Sequence, residues 1–277
     1  MRFFERLFQF YINASIHVAL AVCSLAMVTV IALNMVPDMN LMGFFFFGTI
    51  SGYNFVKYAP AAGMHHRSLT RSLKTIQIFS FLCFGMVLLF AYNLPIEVLK
   101  VTACFGILTL LYTLPFVKHK SLRTISGLKI FIVATVWAGV TVVVPVLWSE
   151  YEFSADIWLS FFQRFLLVIT LTLPFEIRDL PYDKSSLRTI PQQLGIKKAK
   201  ATGIGFLVLI LILEGFKDEI IPAHFLSLLV LSFITGILLV FSQKKQPKYF
   251  SSFGVESIPI VWMLIFLFLK YYLDNSC

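Results

Sequence analysis

Asp179 and Asp183 are the residues of this chain whose types and spacing most suggest chemistry. They stand four apart in RDLPYD, and on a continuous helix that spacing puts both on one face. Two carboxylates on one face can hold Mg²⁺ against a phosphate-bearing ligand. Mg²⁺ takes one or two carboxylates and fills its remaining positions with phosphate oxygens and water. The same pair could instead be neutralised in an ion-pair network with Arg178, Lys184 and Arg188. Pro181 bears on the geometry. It disfavours helix at Leu180 and clashes with a continuing turn, so the carboxylates would then converge through a turn.

The stretch around this pair, TLPFEIRDLPYDKSSLRTI at 172–190, repeats an earlier one, TLPFVKHKSLRTI at 113–125. The later copy is six residues longer between the shared ends, and it alone carries carboxylates. A weaker echo, SLKTI, lies at 72–76. The shared S-L-[RK]-T-I suits a basic loop at anionic headgroups, with Thr capping the helix that follows. Basic residues from three such loops could also converge on an anionic ligand.

These segments must be positioned by apolar elements. The 277 residues are 58% hydrophobic and only 13% charged, against about a quarter charged in soluble domains. Mean hydropathy is +0.85. Nine apolar runs cover about 14–35, 41–60, 75–93, 98–116, 126–148, 156–177, 200–216, 221–242 and 252–273. Their length suits helices crossing a lipid bilayer, where a helix satisfies its own backbone groups. The expected fold is an all-α polytopic membrane protein in one transmembrane domain over 1–277. An interfacial amphipathic helix over about 1–13 precedes the spans.

Charge alternates between the loops. Arg2, Arg6, Arg67, Arg71, Lys74, Lys118, Lys120, Arg123, Arg178, Lys184, Arg188, Lys197, Lys198, Lys200, Lys244, Lys245 and Lys248 fall on one side. Asp38, Glu97, Glu150, Glu152, Asp156, Glu214, Asp218 and Glu219 fall on the other. The positive-inside rule puts the N-terminus in the cytoplasm and the C-terminus outside, as an odd number of spans requires. This placement makes the net charge of +9 a matter of topology and of a phosphate-bearing ligand, not of nucleic acid. A multi-pass protein of this kind suits a bacterial inner (cell) membrane. The scattered cysteines and histidines form no metal-binding pattern.

Polar groups inside apolar runs are costly and mark candidate sites. Asn54, Lys57 and Tyr58 stand late in the second run, and Lys118 follows the fourth. Lys129, Arg164 and Glu256 lie in the fifth, sixth and ninth. Snorkelling or helix-to-helix pairing accounts for each of them as well as a catalytic role does.

The segment RDLPYDKSSLRTIPQQLGIKKA resembles the second aspartate motif of the UbiA superfamily of intramembrane prenyltransferases. That motif shows R-D-x-x-x-D, a basic residue, R-T-[LI]-P, then L-G and paired lysines. Arg178, Asp179, Asp183, Lys184, Arg188, Thr189, Pro191, Leu194 and Gly195 fit it in order. LYTLPFVKHKSL is similar to the family's segment after its fourth helix, with Tyr112, Pro115 and Lys118 matching. The resemblance implies a UbiA-like bundle of nine transmembrane helices with a cytoplasmic N-terminus. It implies transfer of an isoprenyl group from a prenyl diphosphate to a lipophilic acceptor, with Mg²⁺ bridging the diphosphate. The implied catalytic residues are Asp179, Asp183 and Lys118, the two aspartates being the metal ligands. The implied diphosphate contacts are Asn54, Lys57, Tyr58, Arg178, Arg188 and Arg123.

The family's first motif, roughly N-D-x-x-D-x-x-x-D, is altered here to NFVKYAPAA. Asn54 matches its first residue, while Phe55, Tyr58 and Ala62 stand at the acidic positions. No Asp or Glu occurs between Asp38 and Glu97. The expectation is therefore one Mg²⁺, with Lys57 or Lys118 against the diphosphate directly. A second reading is a UbiA-like protein that binds an isoprenoid or lipid phosphate as carrier, sensor or subunit. A third, a transporter or assembly factor of unrelated chemistry, predicts no response to diphosphates.

Overall fold

A computed structural model describes residues 2–64, 71–113, 127–183 and 187–275. Among them every regular element is helical: α1 (Arg2–Asn13), α2 (Ile16–Ala32), α3 (Met39–Met64), α4 (Arg71–Ala91), α5 (Ile96–Thr113), α6 (Leu128–Ala138), α7 (Val144–Trp148), α8 (Ala155–Asp179), α9 (Ile190–Glu214), α10 (Pro222–Phe241) and α11 (Ile258–Asp274). Within the described residues each of the nine apolar runs is mainly helical. Five described helical segments are long and apolar enough to cross a membrane, or six if α1 and α2 form one bent span.

α2 and α8 are central. The largest core cluster joins them to α9, α10 and α11 through Leu25, Leu167, Leu207, Leu228 and Phe266. A second joins α8 to α6 and α10 through Ile130, Ile169 and Leu239, and a third seats α2 on α3, α5 and α7. α4 packs chiefly on α3. Its outward side is apolar, with Phe81 77% exposed and Leu89 65%. A face of that kind is stable against lipid tails and costly against water.

Two irregularities have local causes. α6 and α7 form one rod through a π-helical turn at Gly139–Val143. Pro145 lacks the N–H that would bond the carbonyl of Thr141, and Thr29 Oγ1 donates to that oxygen instead at 2.7 Å. Within α9, Gly195 adopts φ 78°, ψ 160°, a conformation essentially confined to glycine, and the helix kinks there.

Candidate active site

α8 ends at Asp179, two residues before Pro181, which disfavours a continuing turn. The amides of Tyr182 and Asp183 both donate to the Asp179 carbonyl at 2.9 Å, closing a turn. The two aspartates therefore approach through a turn and do not share a continuous helical face. Arg178 grips its neighbour as a fork, with Nε to Asp179 Oδ1 at 2.7 Å and Nη2 to Oδ2 at 3.1 Å. Its guanidinium also lies over the Phe175 ring, 5.3 Å from the centroid. Arg188 precedes α9 in the left-handed region, φ 45°, and its carbonyl accepts from Gln193 Nε2 at 2.5 Å. Thr189 caps α9, its N–H donating to Gln192 Oε1 at 3.1 Å. Gln192 Nε2 donates in turn to the Asp183 carbonyl at 3.4 Å.

One turn before Asp179 stands Glu176, a third acidic residue that is only 3% exposed. Its carboxylate interacts electrostatically with Lys129 of α6 and with Asp179 and Asp183. Glu176 Oε2 and Asp183 Oδ2 are both buried without a hydrogen-bond partner. Orphaned buried carboxylate oxygens are expensive, and a cation relieves them. Among the described residues no group of three His, Cys, Asp or Glu is placed to hold a metal. The orphaned oxygens of Glu176 and Asp183 fit a Mg²⁺ held by one or two carboxylates and completed by phosphate oxygens and water. They do not fit an all-protein cage.

The α3 residues are held differently. Asn54 is 3% exposed and fully engaged within the protein. Its Oδ1 accepts from Ser15 Oγ at 2.7 Å, and its Nδ2 donates to the Ala14 carbonyl at 3.1 Å and to Ser80 Oγ at 2.9 Å. Lys57 Nζ and Tyr58 Oη both donate to the Asn13 carbonyl, at 3.3 and 2.9 Å. These three residues clamp the junction where α1 and α2 meet at a 54° bend. That junction needs the clamp: Ser15 sits in the left-handed region, φ 60°, and the end of α1 presents carbonyls without helical partners. Lys57 keeps further N–H groups, since an ammonium has three. Its charge, with that of Arg178, acts on Glu256, which follows the π-helical turn Phe250–Val255. His17 is structural, bonded to Tyr11 Oη at 2.7 Å and stacked on Phe253.

Beside this charged end lies an apolar cavity of about 820 Å³, walled by α3, α4, α5 and α6. Asn54, Tyr58, Gln77 and Ser80 line its polar end, and Phe44, Phe84, Phe105 and Trp137 line its depth. Phe81 and Phe84 of α4 and Leu110 of α5 are wall residues that also reach the outer surface.

No protein-family model and no curated protein sequence matches the chain. Solved structures do. The fold is similar to the apo structure of a UbiA homologue from Aeropyrum pernix K1, with a TM-score of 0.65 at 16% identity, over 91% of this chain and 98% of that one. This is the UbiA fold. A digeranylgeranylglyceryl phosphate synthase structure also has it, with a TM-score of 0.58 at 15% identity, over 96% of this chain and 97% of that one. The UbiA resemblance of segment 178–195 is thus matched by the architecture of nearly the whole chain.

Within the UbiA fold, Arg178, Asp179, Asp183, Lys57 and Tyr58 come to one end of the bundle. Lys118 and Arg123 lie outside the described residues. Asn54 belongs to the clamp. Glu176 is the residue that sequence reasoning passed over. Its signal was the spacing of Glu176 and Asp179, at i and i+3, which puts both on one face of α8.

Proposed function

We propose that this chain is an intramembrane prenyltransferase of the UbiA superfamily, moving an isoprenyl group from a prenyl diphosphate to a lipophilic acceptor. The observation that carries this reading is the apolar cavity, whose polar end meets α3 beside the charged end of α8. A prenyl diphosphate has the same division into a long apolar tail and a small, highly charged head. The cavity between α3 and α6 takes the tail and keeps water from the reacting carbon. Lys57, Arg178 and Arg188 attract the diphosphate and stabilise it as it leaves. Asp179 and Asp183, with Glu176 behind them, would hold Mg²⁺. That ion would neutralise charge on the departing diphosphate. We further read all nine runs as spans of a bacterial inner membrane, with the N-terminus and this site facing the cytoplasm.

A specific observation favours the second reading, binding without transfer. Both oxygens of Asp179 are taken by Arg178, and Asn54 and Tyr58 are spent on the clamp. The two readings part in one experiment. Purified protein is offered radiolabelled isoprenyl diphosphates of several lengths with lipid-soluble acceptors, with and without Mg²⁺. Release of diphosphate that needs Mg²⁺ and falls at least tenfold in Asp183→Asn supports transfer. Binding without release, unchanged in Asp183→Asn, supports the carrier reading and defeats the first.

A further inference from the structure

A second polar cavity, about 320 Å³, lies at the other end of the bundle, and no part of the proposed transferase reaction uses it. It is walled by the end of α2, the start of α8, the end of α9 and the start of α10, with Trp262 of α11. Arg164 is 15 residues before Asp179 on α8, so the two sites are about 22 Å apart along the axis.

Arg164 is 4% exposed and lines this cavity. Nη1 donates to the Leu25 carbonyl at 2.6 Å, Nη2 meets Thr29 Oγ1 at 3.5 Å, and the guanidinium lies over Trp262 at 4.9 Å. A guanidinium has five N–H groups, so these contacts leave donors over. No carboxylate among the described residues forms an ion pair with it. Glu214, the buried carboxylate of the same cavity, is already committed. It takes Lys217 Nζ and Gln163 Nε2 on Oε2, each at 2.8 Å, and His224 Nδ1 on Oε1 at 2.7 Å. Two buried cations, Arg164 and Lys217, thus face one buried carboxylate, with His224 neutral or adding to the excess. Buried charges are paired or they cost several kcal/mol, so this floor calls for an anionic group.

The rim has the opposite sign. Asp156, Asp218 and Glu219 line the mouth. Asp156 accepts the amides of Asp218 and Glu219 at 3.0 and 3.4 Å, which fixes the loop between α9 and α10 across the opening. A cationic floor below an acidic rim matches a molecule with an anion at one end and an ammonium at the other. The volume sits at the small end of ligand pockets.

We infer that this outer cavity is a binding site for a small zwitterion, with its phosphate or carboxylate against Arg164 and its ammonium among Asp156, Asp218 and Glu219. The site stands whether or not the chain transfers isoprenyl groups. The headgroup of a zwitterionic phospholipid and a free aminoalkyl phosphate share this chemistry.

The test is thermal unfolding of the full chain in a lipid-free detergent. The probes are free phosphoethanolamine, inorganic phosphate, and phosphatidylethanolamine or phosphatidylglycerol added to the micelles. A saturable rise in Tm with phosphoethanolamine, larger than with phosphate, assigns a free ligand. A rise with phosphatidylethanolamine alone assigns a headgroup. Either supports the site. Arg164→Gln should weaken that effect about tenfold or more, as expected for loss of a hydrogen-bonded charge. Because Arg164→Gln also removes a buried tie between α8 and α2, Ser160→Leu serves as the second variant. It fills the cavity from its wall, leaves Arg164 in place and should abolish the shift. No rise with any zwitterionic probe, an equal response to phosphatidylglycerol, or a rise that survives Ser160→Leu would overturn the inference.

Discussion

Replacing Asn54 with leucine separates a structural clamp from a ligand contact. The exchange keeps the branching and heavy-atom count of the side chain and removes three hydrogen bonds, to Ser15, Ala14 and Ser80. Side-chain hydrogen bonds inside membrane proteins average about 0.6 kcal/mol, and those in soluble proteins about 1 kcal/mol. The bonds alone therefore amount to about 2–3 kcal/mol. Ser80 keeps its bond to the Ile76 carbonyl, but the Ala14 carbonyl and the Ser15 hydroxyl lose Asn54 in a site that is 0–1% exposed. Such orphaning pushes the cost towards the upper figure. Asp179→Ala is the control: its ion pair with Arg178 is about one-third exposed, and pairs of that kind contribute at most about 1 kcal/mol. Unfolding by SDS in mixed micelles, followed by tryptophan fluorescence, should rank Asn54→Leu well below Asp179→Ala in stability. Diphosphate binding by the folded fraction should rank them the other way. A double-mutant cycle with Ser80→Ala should return a coupling of about 0.5–1 kcal/mol for that single bond. An Asn54→Leu protein with wild-type stability and no diphosphate binding would refute the clamp and return Asn54 to the ligand.

Gly195→Ala should cost about 1–3 kcal/mol, because no L side chain is comfortable at φ 78°, ψ 160°; the SDS midpoint measures it, and an unchanged midpoint would mean that α9 is straight there. Glu214→Gln should cost about 3 kcal/mol by leaving Lys217 charged and buried; the partial rescue expected in Glu214→Gln/Lys217→Met checks the cause. Arg178→Gln should free both oxygens of Asp179 and tighten Mg²⁺ alone by up to about fivefold, the equivalent of a 1 kcal/mol pair. Isothermal titration reads that change, and weaker Mg²⁺ binding would show that Asp179 is not a ligand.

The helices were legible because lipid leaves the backbone no other partner and because apolar runs of spanning length stand out. The end of α8 was legible for a local reason, since Pro181 disfavours the next turn. What could not be read was which polar groups spend themselves inside the protein. Asn54, Lys57 and Tyr58 look like a ligand-binding face in the sequence. Their partners, Asn13 to Ser15, are some 40 residues away and are backbone carbonyls or a lone serine, so no side-chain pattern announces them. Arg164 with Leu25 and Thr29, and Glu214 with Gln163, were hidden in the same way. Glu176 was legible in principle, being on the α8 face of Asp179. It was masked by the stronger signal beside it.

The charges at the Asp179 end of the bundle bear on whether a metal is needed at all. Lys57, Lys129 and Arg178 are the cations whose charges act within this cluster, and Glu176, Asp179, Asp183 and Glu256 are the carboxylates. With Arg188 of the proposed diphosphate contacts added and all of them ionised, four positive charges face four negative ones before any ligand arrives. A diphosphate brought into that set leaves a deficit of positive charge, which Mg²⁺ would offset. Carboxylates at positions 55, 58 and 62 would have deepened the deficit and called for a further ion. Phe55, Tyr58 and Ala62 add none, and Lys57 supplies a fixed positive charge. The residues at 55, 58 and 62 and the charge of Lys57 therefore act in the same direction, lowering the number of metal ions called for. One ion per protein is the expected outcome. Diphosphate affinity should then saturate at one Mg²⁺ per protein in Lys57-containing chains, and Lys57→Ala should restore a need for a second cation, visible as a steeper dependence of binding on Mg²⁺ concentration. Tight diphosphate binding in the presence of a chelator, by wild type and Lys57→Ala alike, would show that the balance is struck by other groups.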